Sequence, residues 1–319
     1  MKLFLYISSF FIVCLAPFMG EINLTLNDIF DTSTTTHTIF WDLRVSRVVL
    51  AFFVGGILAL GGLIFQIIFK NQLITPYTLG IASGTTLFTA ISIVFFPAMY
   101  MPISSVLGSL VTILILYYIS KQINKSSIAV STNSILLIGI ALSYFYSSAL
   151  MLVFYMSNLQ ENYSIVRFTL GSLDTVGFTS TLIIVFVSII FYAVIHFNKE
   201  KIKLLLICND TAFLKGLNVH KTNLILLIVV SLSVGVCISF VGPIGFIGLV
   251  VPHIIKLIYK QSADKLFFPV FFFGGIFLVF SDLISRNLNT DSTLPIGVVT
   301  AFIGAPFFVY LLVRRSRKL

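Results

Sequence analysis

The sequence predicts an all-α, polytopic membrane protein of about ten transmembrane helices, both termini cytoplasmic, forming a single domain over residues 1–319. Three observations predict this. Hydrophobic residues make up 58% of the chain and charged residues 10%, against about 25% charged in an ordinary soluble domain, so a water-facing skin cannot be built. The apolar residues gather into runs near the length of about 20 that a helix needs to cross the hydrocarbon core. The basic residues segregate between alternate loops.

The elements follow in order. The first run, 3–20, begins after Lys2 and lacks a small-residue cleavage signature, so it is expected as a retained span and not as a signal peptide. Runs at 45–69, 79–97 and 103–120 come next, the second of these interrupted by Pro97. The run 128–156 is long enough to tilt or to contain a break. Runs at 178–197, 222–240, 244–259, 266–285 and 294–313 complete the set. Gly242-Pro243 reads as a turn followed by a helix start with proline at an early position. Glycine pairs such as Gly55-Gly56, Gly61-Gly62 and Gly274-Gly275 suit close helix approach.

With the N-terminus inside, sixteen Lys and Arg fall in cytoplasmic loops and four outside: Arg44, Arg47, Arg167 and Arg286. The opposite orientation reverses this bias. Most acidic residues lean outward, among them Asp42, Glu161, Asp174 and Asp282. The net charge of +9 is therefore a topology signal; the basic residues are dispersed over many loops, which argues against nucleic-acid binding. Outward arginines in an acid-leaning face fit headgroup anchoring, local ion pairing, or docking of an acidic partner by bidentate bonds.

Catalytic and metal chemistry find no foothold. Cys14, Cys208 and Cys237 lie far apart, without ligand or disulfide spacing. There is no G-x-x-x-x-G-K-S/T phosphate loop. Ionisable residues within the spans are nearly absent, with Asp282, His196 and His253 near span ends, so energy must come from elsewhere. The longest inside loop, about 199–221, reads in its middle as one or two short amphipathic helices, with Asn209 or Asp210 as N-cap and Gly216 as terminator.

Five blocks then occur in a familiar order. They are Arg44-x-Ser46-Arg47 with Gly62 and Gln66; Asn71 with Pro76 and Gly80; Phe168-Thr-Leu-Gly171-Ser-Leu; Gly245-Phe-Ile-Gly248-Leu-Val-Val-Pro252-His253; and Leu294-Pro295-Ile-Gly297 leading to Gly304-Ala-Pro306. Together, over about residues 40–315, they resemble the FecCD-type permeases, the membrane subunits of ABC importers for iron–siderophores, haem and vitamin B12. The sequence departs from the family pattern at Ser46 and Gln72, each in place of Pro, at Thr293 in place of Glu, and at Asn209 near a usual Glu.

The resemblance implies a transport subunit and not an enzyme, in the bacterial cytoplasmic (inner) membrane. It implies a cytoplasmic ABC ATPase dimer, carrying ATP and Mg, that engages the coupling loop through Asn209, Asp210, Ala212, Leu214, Gly216 and Leu217. It implies an extracytoplasmic substrate-binding protein that docks on Arg44, Arg47 and Arg286, and a second permease, identical or related. No cofactor is expected on this chain. The cargo expected is an iron–siderophore complex, with haem or vitamin B12 as the alternative within transport and an ion-coupled carrier or channel as the alternative outside it. The 128–156 helix and the last span are the expected path liners.

Overall fold

A computed structural model describes residues 2–20, 35–97, 101–123, 132–207, 209–288 and 294–316. All regular structure among these residues is helical. Among the described residues six helices are long and apolar enough to cross a membrane, and four shorter apolar helices accompany them; these ten coincide with the ten predicted runs. In chain order the elements are α1 (Lys2–Leu15), α2 (Ser46–Ile68), α3 (Ile81–Phe95), α4 (Met101–Ile123), α5 (Thr132–Met156), α6 (Leu159–Leu170) and α7 (Thr179–Phe197). They continue as α8 (Lys199–Ile207), α9 (Asn209–Leu214), α10 (Val219–Val241), α11 (Ile247–Tyr259), α12 (Phe267–Asn287) and α13 (Ile296–Ser316).

The second helix is the axis of the molecule. It is apolar on every face, which marks a helix enclosed by others, and Leu50, Ile57, Leu60, Leu63, Ile64 and Phe65 are fully buried. Helices α7, α10, α11 and α12 surround it, with α12 the most extensive neighbour. A Cβ on Gly55 would stand 2.3 Å from the Gly274 carbonyl oxygen, so the two backbones touch. On the far side of α12, Tyr6 of α1 packs on Phe272 and Phe273 with ring centroids 5.1 and 5.2 Å away. Helices α3 and α4 pair through buried hydroxyls. Thr89 Oγ1 on α3 bonds Ser105 Oγ on α4, and Thr112 Oγ1 on α4 donates to Tyr146 Oη on α5 at 3.2 Å. The fifth helix is the least buried of the six long ones.

Four details differ from the sequence reading. Helix α2 has a lead-in, a turn at Thr35–Thr38 and a wide π-wound segment at Ile39–Val45, so its helical path starts ten residues earlier than predicted. An additional helix, α6, follows α5. A reciprocal capping box starts it: Asn158 Oδ1 accepts from Glu161 N–H, and Glu161 Oε2 accepts from Asn158 N–H, both at 2.9 Å. The cytoplasmic loop forms two helices as expected, but α8 begins at Lys199. Helix α11 begins at Ile247, so Pro243 lies in a non-helical segment and not in a first helical turn. The reason is local. Gly242 at φ +71° ends α10, and Phe246 at φ +67° must pass through left-handed backbone before α11 can start.

Candidate functional site

The break at 242–246 is where the sequence blocks meet. Gly171 ends α6 at φ +75°, and Ser172 N–H then donates to the Val241 carbonyl at 2.9 Å. Ile244 N–H donates to Tyr77 Oη at 2.7 Å, which satisfies a backbone donor that the break leaves without a helical partner. Gly297 lies against the carbonyls of Leu170 and Pro243, and Gly304 against the Phe246 side chain. A Cβ on Gly62 would fall 2.0 Å from the Gly248 carbonyl oxygen. That carbonyl also accepts from Gln66 Nε2 at 3.2 Å. All five blocks thus contribute to one joint around the α10–α11 break. It is built of backbone contacts and small residues, so it can transmit or absorb motion but offers no reacting group.

From the same blocks, Asn71 Oδ1 accepts from Leu73 N–H at 2.9 Å in an Asx turn. Pro76 is buried, and Gly80 at φ +78° precedes α3. Pro252 is buried within α11, and His253 is half-buried one turn before Lys256. Pro295 accepts the first bond of α13, from Val298, and Pro306 lies inside that helix, exposed. Lys256 Nζ donates to Gln66 Oε1 at 2.9 Å, extending the joint toward the cytoplasmic ends of α2 and α11. A cavity of about 440 Å³ opens between the 71–78 segment and α5, lined by Asn71, Leu73, Thr78, Ile140, Ser143 and Tyr144.

At the opposite end the predicted outward arginines come together. Arg47 Nε donates to Asp282 Oδ1 at 2.8 Å and its Nη1 pairs with Asp174. Asp282 Oδ2 pairs with Arg286 Nε at 3.1 Å. Arg286 also points both terminal nitrogens at the carbonyls of Met19 and Ala16, and Arg44 Nη1 donates to the Pro17 carbonyl at 3.3 Å. The guanidiniums are consequently turned inward: Arg44 is 7% exposed and Arg286 8%. Arg167, 59% exposed, pairs with Asp174 from the rim at 3.5 Å. Burial alone would push the Asp174 carboxyl up. The nearby Arg47 charge, hydrogen bonds from Ser172 and Arg47, and Arg167 outweigh it and hold the carboxyl below its usual range. The Ser46 hydroxyl anchors this end of α2: it donates to the Gly177 carbonyl at 2.6 Å and lies 2.9 Å from Thr181 Oγ1.

On the cytoplasmic side, Ile202 and Leu205 bury α8 under α2 and the 263–265 turn. Ala212 is fully buried, Leu217 is partly buried against the core, and Gly216 at φ +79° ends α9. Leu214 is 82% exposed, and Phe213, which the sequence reading passed over, 73%. The side chains of Asn209 and Asp210 lie outside the described residues, as does Thr293. Sequence reasoning also missed Asp174 as the partner of Arg47. Its local signal was Asp174 two residues after Ser172, but its partner is 127 positions away.

A bundle of apolar helices around a central axis, with a glycine joint at a broken span, ion pairs at one end and an exposed two-helix loop at the other, defines a multi-pass membrane permease. The chain belongs to the FecCD transport family, whose model matches residues 8–314. It is 30% identical over 318 residues to the vitamin B12 import permease BtuC of Vibrio cholerae, covering 98% of this chain and 93% of that protein. It is 30% identical over 312 residues to the hemin transport permease HmuU of Yersinia pestis, covering 94% and 91%. A solved metal-chelate type ABC transporter in an inward-facing conformation superposes with a TM-score of 0.86 at 22% identity, covering 97% of this chain and 99% of that one. The protein is therefore the permease subunit of an ABC importer of the metal-chelate, B12 and haem type, a transport subunit and not an enzyme.

Proposed function

We propose that the chain is the membrane half of an importer, in the bacterial cytoplasmic membrane, that brings an iron–siderophore complex into the cytoplasm. The observation that carries the importer reading is the convergence of all five family blocks on the α10–α11 break, between an outward ion-pair cluster and a cytoplasmic loop. ATP and Mg belong to a cytoplasmic ATPase dimer that grips Phe213 and Leu214 on α9. Because α8 is seated under α2, a push on α9 passes to the joint as a rigid displacement. A second permease, identical or related, covers the free face of α5, and cargo passes beside Tyr144 and the neighbouring cavity. The iron–chelate cargo is favoured by relatives named for Fe(3+)-citrate import in Bacillus subtilis and iron chelatin transport in Helicobacter pylori; haem and vitamin B12 are the alternatives. An ion-coupled carrier is disfavoured because Asp282, the carboxylate within α12, is fully buried and already paired with Arg47 and Arg286, which leaves no open site for a coupling ion there.

On the outer face an acidic binding protein meets the exposed Arg167 first, with Arg44, Arg47 and Arg286 lying beneath it as the positive field that draws its carboxylates. Uptake of radiolabelled ferric siderophore, haem and vitamin B12 by the reconstituted importer tests the cargo. Replacing Arg44 and Arg47 together by Glu is expected to abolish uptake with membrane insertion unchanged. Arg167→Glu, at an exposed site, is expected to lower uptake without moving the melting temperature. Full uptake in both variants refutes the docking role.

A further inference from the structure

The outer cluster contains a carboxylate that the docking reading does not require. Asp174 sits on the 171–178 segment, outside the spans, and reaches Arg47 with one oxygen and Arg167 and Ser172 Oγ with the other, the last at 2.7 Å. Arg47 already has a fully buried partner in Asp282, so its second partner is the accessible one; the Asp174 side chain is 29% exposed. The same segment is tied back twice more at its far end, by Gly177 N–H to the Asp42 carbonyl at 3.0 Å and by Ser46 Oγ to the Gly177 carbonyl at 2.6 Å. At its near end Ser172 N–H holds the Val241 carbonyl, immediately before the α10–α11 break. The segment therefore runs from the outer arginines to the joint, and Asp174 makes its charged fastenings, to Arg47 and to Arg167.

We infer that Asp174 is an internal stand-in for a partner's carboxylate: it occupies Arg47 and Arg167 in the free permease and gives them up to an acidic protein surface on docking. The inference rests on the docking reading and extends it. Exchange of one carboxylate for another keeps both arginines paired, so no buried charge is stranded at any step. What changes is the tether. Once Asp174 is displaced, the middle of the 171–178 segment is released between its two tied ends, and Ser172 carries that movement to Val241. Asp174 is thus a positioning residue that sets both the affinity for an acidic partner and the transfer of the docking signal inward.

The test uses full-length permease in proteoliposomes, with Cys14, Cys208 and Cys237 replaced by Ser and Thr175→Cys as reporter, because the Thr175 hydroxyl is buried and unpartnered. The readout is the rate of labelling by a membrane-impermeant maleimide. Asp174→Asn is expected to raise the rate about fivefold, the worth of a partly exposed ion pair. A hexaglutamate peptide is expected to raise the rate in the parent toward the Asp174→Asn level and to leave Asp174→Asn itself unchanged; hexalysine is expected to do nothing. Equal rates in parent and Asp174→Asn overturn the inference, and so does a parent that ignores hexaglutamate while Asp174→Asn labels fast, since that is mere loosening. Failure of the docking reading looks different: the peptide acts as expected, yet the Arg44, Arg47 double reversal retains uptake.

Discussion

Gly62 and Gly245 belong to two of the five sequence blocks but face opposite surroundings, which makes them a matched pair. A Cβ added at Gly62 would lie 2.0 Å from the Gly248 carbonyl oxygen and 2.5 Å from its carbonyl carbon, whereas one at Gly245 meets nothing within 4 Å. Ordinary contact between such atoms needs roughly 3.3 Å, so Gly62→Ala must part α2 from α11 by more than 1 Å, and the opposing atoms are backbone that cannot rotate away. Overpacking of this kind costs about 1–3 kcal/mol, or about 2–4 °C in melting temperature for each kcal/mol. Cys237, fully buried in α10, supplies the assay: a thiol-reactive dye reports unfolding in detergent once Cys14 and Cys208 are replaced. Gly62→Ala is expected to melt several degrees below the parent and to lose uptake. Gly245→Ala is expected to melt within a degree or so. Equal melting of the two variants, or a larger loss at Gly245, would refute the backbone-contact argument.

Tyr77→Phe removes the acceptor for Ile244 N–H and is expected to destabilise the chain by about 1 kcal/mol, measured by the same melting assay. Phe213→Asp with Leu214→Asp is expected to abolish association with the ATPase, followed by co-purification, while the melting temperature stays put, because both side chains are exposed. The Asp174 carboxyl is held below its usual value of 3.8. A depressed carboxylate stabilises above its unfolded value and loses that contribution as pH falls through the folded one. Melting temperature is therefore expected to be insensitive to this group at neutral pH and to fall in acid, with the acid limb reduced in Asp174→Asn.

The spans were legible because run length and composition are local properties, whereas the expected orientation rests on sixteen of twenty cations falling in one set of alternate loops. The residues of the joint were legible as motif positions, though not their meeting at one break. The inward turn of the arginines was not legible: Arg47 finds its partners 127 and 235 positions away, and no local pattern announces such pairs. Helix α6 escaped because its mixed composition fails a hydropathy search, although Asn158 and Glu161 are spaced as a capping box. The true start of α11 escaped because it depends on Phe246 taking a left-handed conformation, which bulky side chains rarely adopt.

The contact of Gly62 with Gly248, repeated at Gly55 with Gly274, has a mechanical side. Interlocked side chains act like meshed teeth, and parting them means lifting one surface out of the other. Two smooth backbones in contact have no teeth. They resist being squeezed together, yet one can glide along the other with few contacts to unmake. The axis of this protein is thus faced on two sides by sliding bearings, stiff across the contact and compliant along it.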